Sequence, residues 1–155
     1  MIKLSKWFLS CVLSLGFATI AIAADEKGNA DQAQAMTKKA VAHFKSVGKE
    51  KAFADFSDPA NKQFHDRDLY VMAYDLTGNN MAHGANSKLI GKNLLEIKDA
   101  DDKFIIKEMI KTATTGKGSG WVEYKWPNPV TKALEPKSTY VEKVDAYFIG
   151  VGIYK

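Results

Sequence analysis

The chain has 155 residues, 46% of them hydrophobic and 26% charged, with a formal net charge of +4, three histidines and a single cysteine. Setting aside a leader of 23 residues leaves 132, enough for one compact domain with an ordinary core and too few for two. Lys3 and Lys6 fall in that leader, so the remainder carries +2, with acids and bases interspersed and Arg67 as its one arginine, which excludes the one-sided basic face of a nucleic-acid binder.

The leader itself is legible. Lys3 and Lys6 precede an apolar run over residues 7–22 that closes on Ala21, Ile22, Ala23, a small-x-small cleavage pattern followed by Asp25 and Glu26. The run falls short of the roughly 20 apolar residues of a spanning helix, so residues 1–23 read as a secretory signal peptide and the exported protein is expected in the periplasm, with no membrane span after cleavage. Cys11 leaves with the signal. That removes disulfides, thiolate nucleophiles, cysteine zinc sites and covalently attached haem from the mature chain.

Over residues 31–47, Met36, Ala40, Phe44 and Val47 recur at helical spacing, and Gly48 offers a stop. A shorter helix carrying Phe53 and Phe56 follows, broken by Asp58 and Pro59. His43 and His65 have no second ligand at metal spacing and read as surface or capping residues, and Arg67 as a surface ion-pair residue beside Asp66 or Asp68. From Leu69 the period changes to two: Leu69, Val71 and Ala73 alternate with Tyr70, Met72 and Tyr74, residues 75–79 supply turn chemistry, and a second strand ends at His83 and Gly84. A crossing helix is expected from Asp101 or Asp102 to Ala113. Gly116, Gly118 and Gly120 follow a helix and precede a strand, the reverse of a nucleotide-binding loop. Three strands close the chain, roughly 119–126, 137–144 and 147–154. The order predicts an α+β fold, a five-stranded antiparallel PAS-like sheet with a long N-terminal helix and a crossing helix.

These stretches together suggest a family. DLYVMAYDLTGNNMAHGANSKLIGKNL, GSGWVEYKWPNP, KSTYVEKV and FIGVGIY resemble, in this order, a type-2 single Cache domain, covering about residues 31–154; the domain is set at 24–155. The resemblance implies an extracytoplasmic sensor module with a PAS-like fold, of a kind found in chemoreceptors and histidine kinases, several of which bind small organic acids. This sequence differs in carrying no following transmembrane helix and no signalling output, so a role accessory to signalling, with a membrane receptor or kinase as partner, is the expectation.

A small carboxylate in a partly dry pocket needs fixed donors and a cation, because an unpaired buried anion costs several kcal/mol. Lys137, His83, Tyr124 and Tyr140 are candidate donors, Trp126 a candidate wall, and Tyr70 could approach from the first strand. The AHG stretch around His83 matches the family pattern. In a regular strand Val122, Tyr124 and Trp126 share one face, opposite Trp121, Glu123 and Lys125. Lys137 and Tyr140, three residues apart, fall on opposite faces, so both can line one pocket only through a bulge or a strand-end bend. The leading reading is a periplasmic sensor-type binding module for a short-chain organic acid; the alternative is a PAS-like domain that docks a partner without a small ligand. No enzyme is expected, since GxSxG, HExxH and cysteine–histidine pairs are absent and Glu123 and Glu142 read as a solvated sheet face. No cofactor and no metal is expected either.

Overall fold

The computed structural model describes residues 27–155; the leader, residues 1–23 with Cys11, lies outside the described residues. Helix α1, Ala30–Val47, starts where the Asn29 side chain accepts from the Gln32 amide and the Gln32 side chain accepts from the Asn29 amide, a reciprocal cap for two otherwise orphaned donors. Ala33, Thr37, Ala40, Val41 and Phe44 form its buried face. Gly48, with φ of 81°, ends it and leads at once into α2, Lys49–Ser57. Both helices lie where the sequence predicts them.

Six strands follow: β1, His65–Asp66; β2, Leu69–Asp75; β3, Asn80–His83; β4, Ser119–Pro127; β5, Leu134–Val144; and β6, Tyr147–Tyr154. Helix α3, Ile105–Thr114, crosses between β3 and β4. All pairings are antiparallel, in the order β2-β6-β5-β4, with β1 and β3 both bonded to β2. Five of the strands are those expected; the sixth, β1, is a two-residue pairing ahead of β2.

The sheet separates two cores. One face carries Leu69, Val71, Ala73, Ile149 and Val151 against α1 and α2, joined by an edge-on pair of Phe56 and Phe64 rings 4.9 Å apart. The other carries Met72, Tyr74, Val122, Tyr124, Val141 and Phe148 against Ile105, Ile106, Met109 and Ala113 of α3. Successive residues of β2 thus go to opposite cores, as the period of two requires.

Two boundaries differ from the expectation. Helix α3 begins at Ile105, because the Asp99 carboxylate accepts from the amides of Asp101 and Lys103, and Asp102 has φ of 62°, which no right-handed helix accommodates. Strand β5 begins at Leu134, ahead of the expected 137. There Asn128 folds the preceding loop back on itself, its amide donating to Ala133 O at 2.8 Å and its Oδ1 accepting from Val130 N at 2.8 Å, so pairing resumes early. Among the described residues no helix is long and apolar enough to cross a membrane.

Candidate ligand-binding site

Unbroken pairing builds the site. Lys137 stands opposite Tyr124 on β4 and Tyr154 on β6, so the three share one row on the α3 side of the sheet. The Lys137 ammonium donates to the Tyr70 hydroxyl at 2.6 Å and the Tyr154 hydroxyl at 3.1 Å. It also sits over both rings, 4.0 Å from the Tyr70 centroid and 4.4 Å from that of Tyr154, where the negative ring faces attract it. Tyr154 donates onward to Pro127 O at 2.9 Å, and Tyr124 bonds Thr139 Oγ1 at 2.9 Å. His83, at the end of β3, places its ring 4.9 Å from Tyr70. Its Nδ1 accepts from the amides of Ala85 and Asn86, at 3.3 and 3.0 Å, which assigns the ring proton to Nε2.

Burial dominates the electrostatics. Lys137 is 1% exposed, and desolvation pushes its pKa well below the usual lysine range, with the Asp68 carboxylate the one group opposing that shift. No carboxylate among the described residues comes within ion-pair distance of it. Desolvation, helped by the charge of Lys137, lowers His83 to about 3, so its imidazole is neutral and donates through Nε2. Burial likewise raises Tyr70, Tyr124 and Tyr154, which keeps these phenols protonated. An ammonium, phenols and an imidazole N–H are thereby gathered with one main-chain carbonyl as acceptor. Such a set suits an anion.

Two spaces adjoin it through Tyr70, His83 and Trp126, and Lys137 itself lines neither. An inner hollow of about 10 Å³, room for about one water, lies between Tyr70, His83, Tyr124 and Trp126 on one side and Met72 and Met109 on the other. A mouth of about 230 Å³ opens beside it, lined by Tyr70, His83, Asn86, Trp126, Asn128 and Lys132. The mouth loop is braced by Asn128, buried and bonded through Nδ2 to Glu135 at 3.0 Å, and Glu135 pairs with Lys27 at 3.3 Å. The segment ahead of α1 is tied to the residue before β2: Gly28 N donates to Asp68 Oδ1 at 2.6 Å, leaving Asp68 Oδ2 buried without a partner among the described residues.

Tyr70, His83, Tyr124, Trp126 and Lys137 are therefore brought together. Tyr140 is not. Register runs without a shift along β5, so Tyr140 projects to the opposite face, where its ring meets Trp121 edge-on at 5.4 Å. Tyr154, Thr139 and Asp68 belong to the cluster and escaped the sequence reading. The alternation of Phe148, Gly150, Gly152 and Tyr154 on β6 was the available signal for Tyr154, once β6 is laid beside β5. Arg67 pairs with Asp66 at 2.8 Å and also donates to Lys27 O at 3.1 Å.

A six-stranded antiparallel sheet flanked by helices, with a donor-lined hollow on one face, is a PAS-like architecture. The profile of the family Single Cache domain 2 matches residues 24–155, and the chain belongs to that family. It is thus homologous to the sensing domains of chemoreceptors and histidine kinases. Over 90 residues it is 36% identical to sensor histidine kinase MctS of Rhizobium johnstonii, covering 57% of this chain and 19% of that protein. Over 92 residues it is 33% identical to methyl-accepting chemotaxis protein McpP of Pseudomonas putida, covering 58% of this chain and 17% of that one. The chain thus spans less than a fifth of either curated relative. Among solved structures it is similar to a methyl-accepting chemotaxis protein from Vibrio parahaemolyticus, with a TM-score of 0.70, 26% identity and coverage of 80% of this chain and 86% of that one. It shares the fold of a Cache chemosensory domain solved for carboxylic acid recognition, with a TM-score of 0.67, 22% identity and coverage of 80% and 91%.

Proposed function

We propose that this Cache domain is a periplasmic sensor-type binding module for a short-chain monocarboxylate of about two to four carbons, exported by the signal peptide at residues 1–23. The observation that carries the reading is Lys137, a fully buried ammonium whose hydrogen-bond partners are two phenols. An acid anion arriving through the mouth supplies the missing counter-charge. Its carboxylate accepts from Lys137, from Tyr70 or Tyr154, and from His83 Nε2, and its short apolar end turns toward Met72 and Met109. A mouth of about 230 Å³ is smaller than the roughly 300–1,000 Å³ of pockets for drug-sized ligands, in keeping with a ligand of a few heavy atoms. A Cache domain of the same fold solved for carboxylic acid recognition supports the same class. We read the module as binding rather than catalysing, because the titratable groups of this site are held as fixed donors.

The relatives are parts of kinases and chemoreceptors, so the bound state is read by a membrane receptor or kinase partner. The narrowness of the inner hollow favours a second reading, docking of a partner with no small ligand. Calorimetric titration with acetate, propionate, lactate and pyruvate separates them. Binding of at least one acid that disappears in Lys137→Ala is expected. No heat with any of the four, or binding indifferent to Lys137→Ala, overturns the proposal in favour of docking.

A further inference from the structure

Lys137 stands on β5, yet its ammonium meets Tyr70 on β2, with the whole of β6 between them. The registers put Gly152 in that gap. Gly152 pairs with Thr139 on β5, and Tyr70 lies one residue beyond the Val71–Val151 pair that joins β2 to β6. A methyl group at 152 would stand 2.3 Å from Lys137 Cε and 2.4 Å from Thr139 Oγ1, distances that real side chains do not adopt. The lysine stem lies flat across the strand only because no side chain is there. Gly152 has no positive φ, so no turn demands glycine at this position. A glycine inside a strand costs stability against alanine and commonly marks close approach of another group. Gly150, on the same face, provides the contrast: the three atoms nearest its added methyl would be Tyr140 O, Thr139 Cγ2 and Val141 Cγ1 at 3.0–3.1 Å, none of them from Lys137.

We infer that Gly152 is the positioning residue of the anion site, the bare strip of β6 across which Lys137 is delivered to Tyr70. This rests on the reading of Lys137 as the anion's partner. It acts through the lysine and touches no ligand itself. The full-length protein, wild type and as Gly152→Ala and Gly150→Ala, is labelled with trace acetic anhydride, and Lys137 acylation is followed by peptide mass spectrometry. The same proteins are titrated with acetate and propionate. Gly152→Ala expels the ammonium from its phenol sandwich, so Lys137 is acylated severalfold faster and acid affinity falls by about tenfold or more, the factor that 1.4 kcal/mol represents. Gly150→Ala leaves both close to wild type. Unchanged acylation and affinity in Gly152→Ala overturns the inference. Should Gly152→Ala fail to fold, Lys137→Ala/Thr139→Ala/Gly152→Ala, with both neighbours of the added methyl cut back, is expected to fold; failure of both overturns it equally. If the wild type binds neither acid while the acylation contrast persists, the ligand reading falls and the positioning role stands.

Discussion

Replacing Lys137 by methionine should stabilise the protein while abolishing acid binding. The lysine is buried, and burial holds its pKa well below the ordinary value of about 10.4. Between those two values the unfolded chain binds a proton that the native state does not, so stability rises with pH across that interval and the penalty is present at neutral pH. Methionine fills nearly the same stem volume without charge. Its neighbours remain satisfied, since Tyr70 can donate to Tyr154 at 3.3 Å and Tyr154 to Pro127 O at 2.9 Å. Exchanging a buried amine, whose protonation burial disfavours, for apolar volume stabilises by about 1–4 kcal/mol, and the lost hydroxyl contacts offset about 1 kcal/mol of it. A net gain near 2 kcal/mol raises the midpoint of a domain this size by roughly 8 °C. Thermal unfolding at pH 7 reads the first effect and acetate calorimetry the second. A midpoint lowered by several degrees, or acetate affinity retained, would refute the reasoning.

Other substitutions separate the roles of neighbouring groups. Tyr154→Phe removes a hydroxyl that accepts from Lys137 and donates to Pro127 O, and acid affinity should fall by about five- to tenfold, the worth of roughly one hydrogen bond; Tyr140→Phe, on the far face, should leave it unchanged in the same calorimetric titration. His83, lowered to about 3, stays neutral while the unfolded histidine protonates near 6.5, so stability is complete above that value and lost as pH falls toward 3, by up to about 1.4 kcal/mol per pH unit. His83→Gln should flatten the urea-unfolding free energy between pH 6.5 and 4 by that slope, and an unaltered profile counts against a buried neutral imidazole. Asn128→Ala should cost about 1–3 kcal/mol and speed hydrogen exchange at the amides of Val130 and Thr131, which its Oδ1 accepts from.

The strands and helices were legible because their periods are clean: Leu69 to Tyr74 alternates into two cores, and α1 repeats Ala40 and Phe44 on one side. The start of α3 was hidden because Asp101 and Asp102 look like helix-opening acids, whereas Asp99 captures the intervening amides for a loop. Within the site, parity along a single strand foretold that Lys137 and Tyr140 diverge. It could not say which one faces α3, since that depends on which side the helices take. Tyr154 and Gly152 required the register between β5 and β6, and Asp68 required the fold of the segment ahead of α1; these are pairings between distant positions that no local pattern encodes.

The divergence along β5 has a mechanical consequence. Lys137 and Thr139 lie on the α3 side of the sheet, while Ser138 and Tyr140, their immediate neighbours, face the side on which α1 packs. The Lys137 cluster and the helix are thus separated by the thickness of one peptide chain, bonded on both edges by β4 and β6. Whatever displaces the backbone at Lys137 carries the far-side residues with it, so the row that holds the amine and the seat of the long helix are two surfaces of a single ribbon.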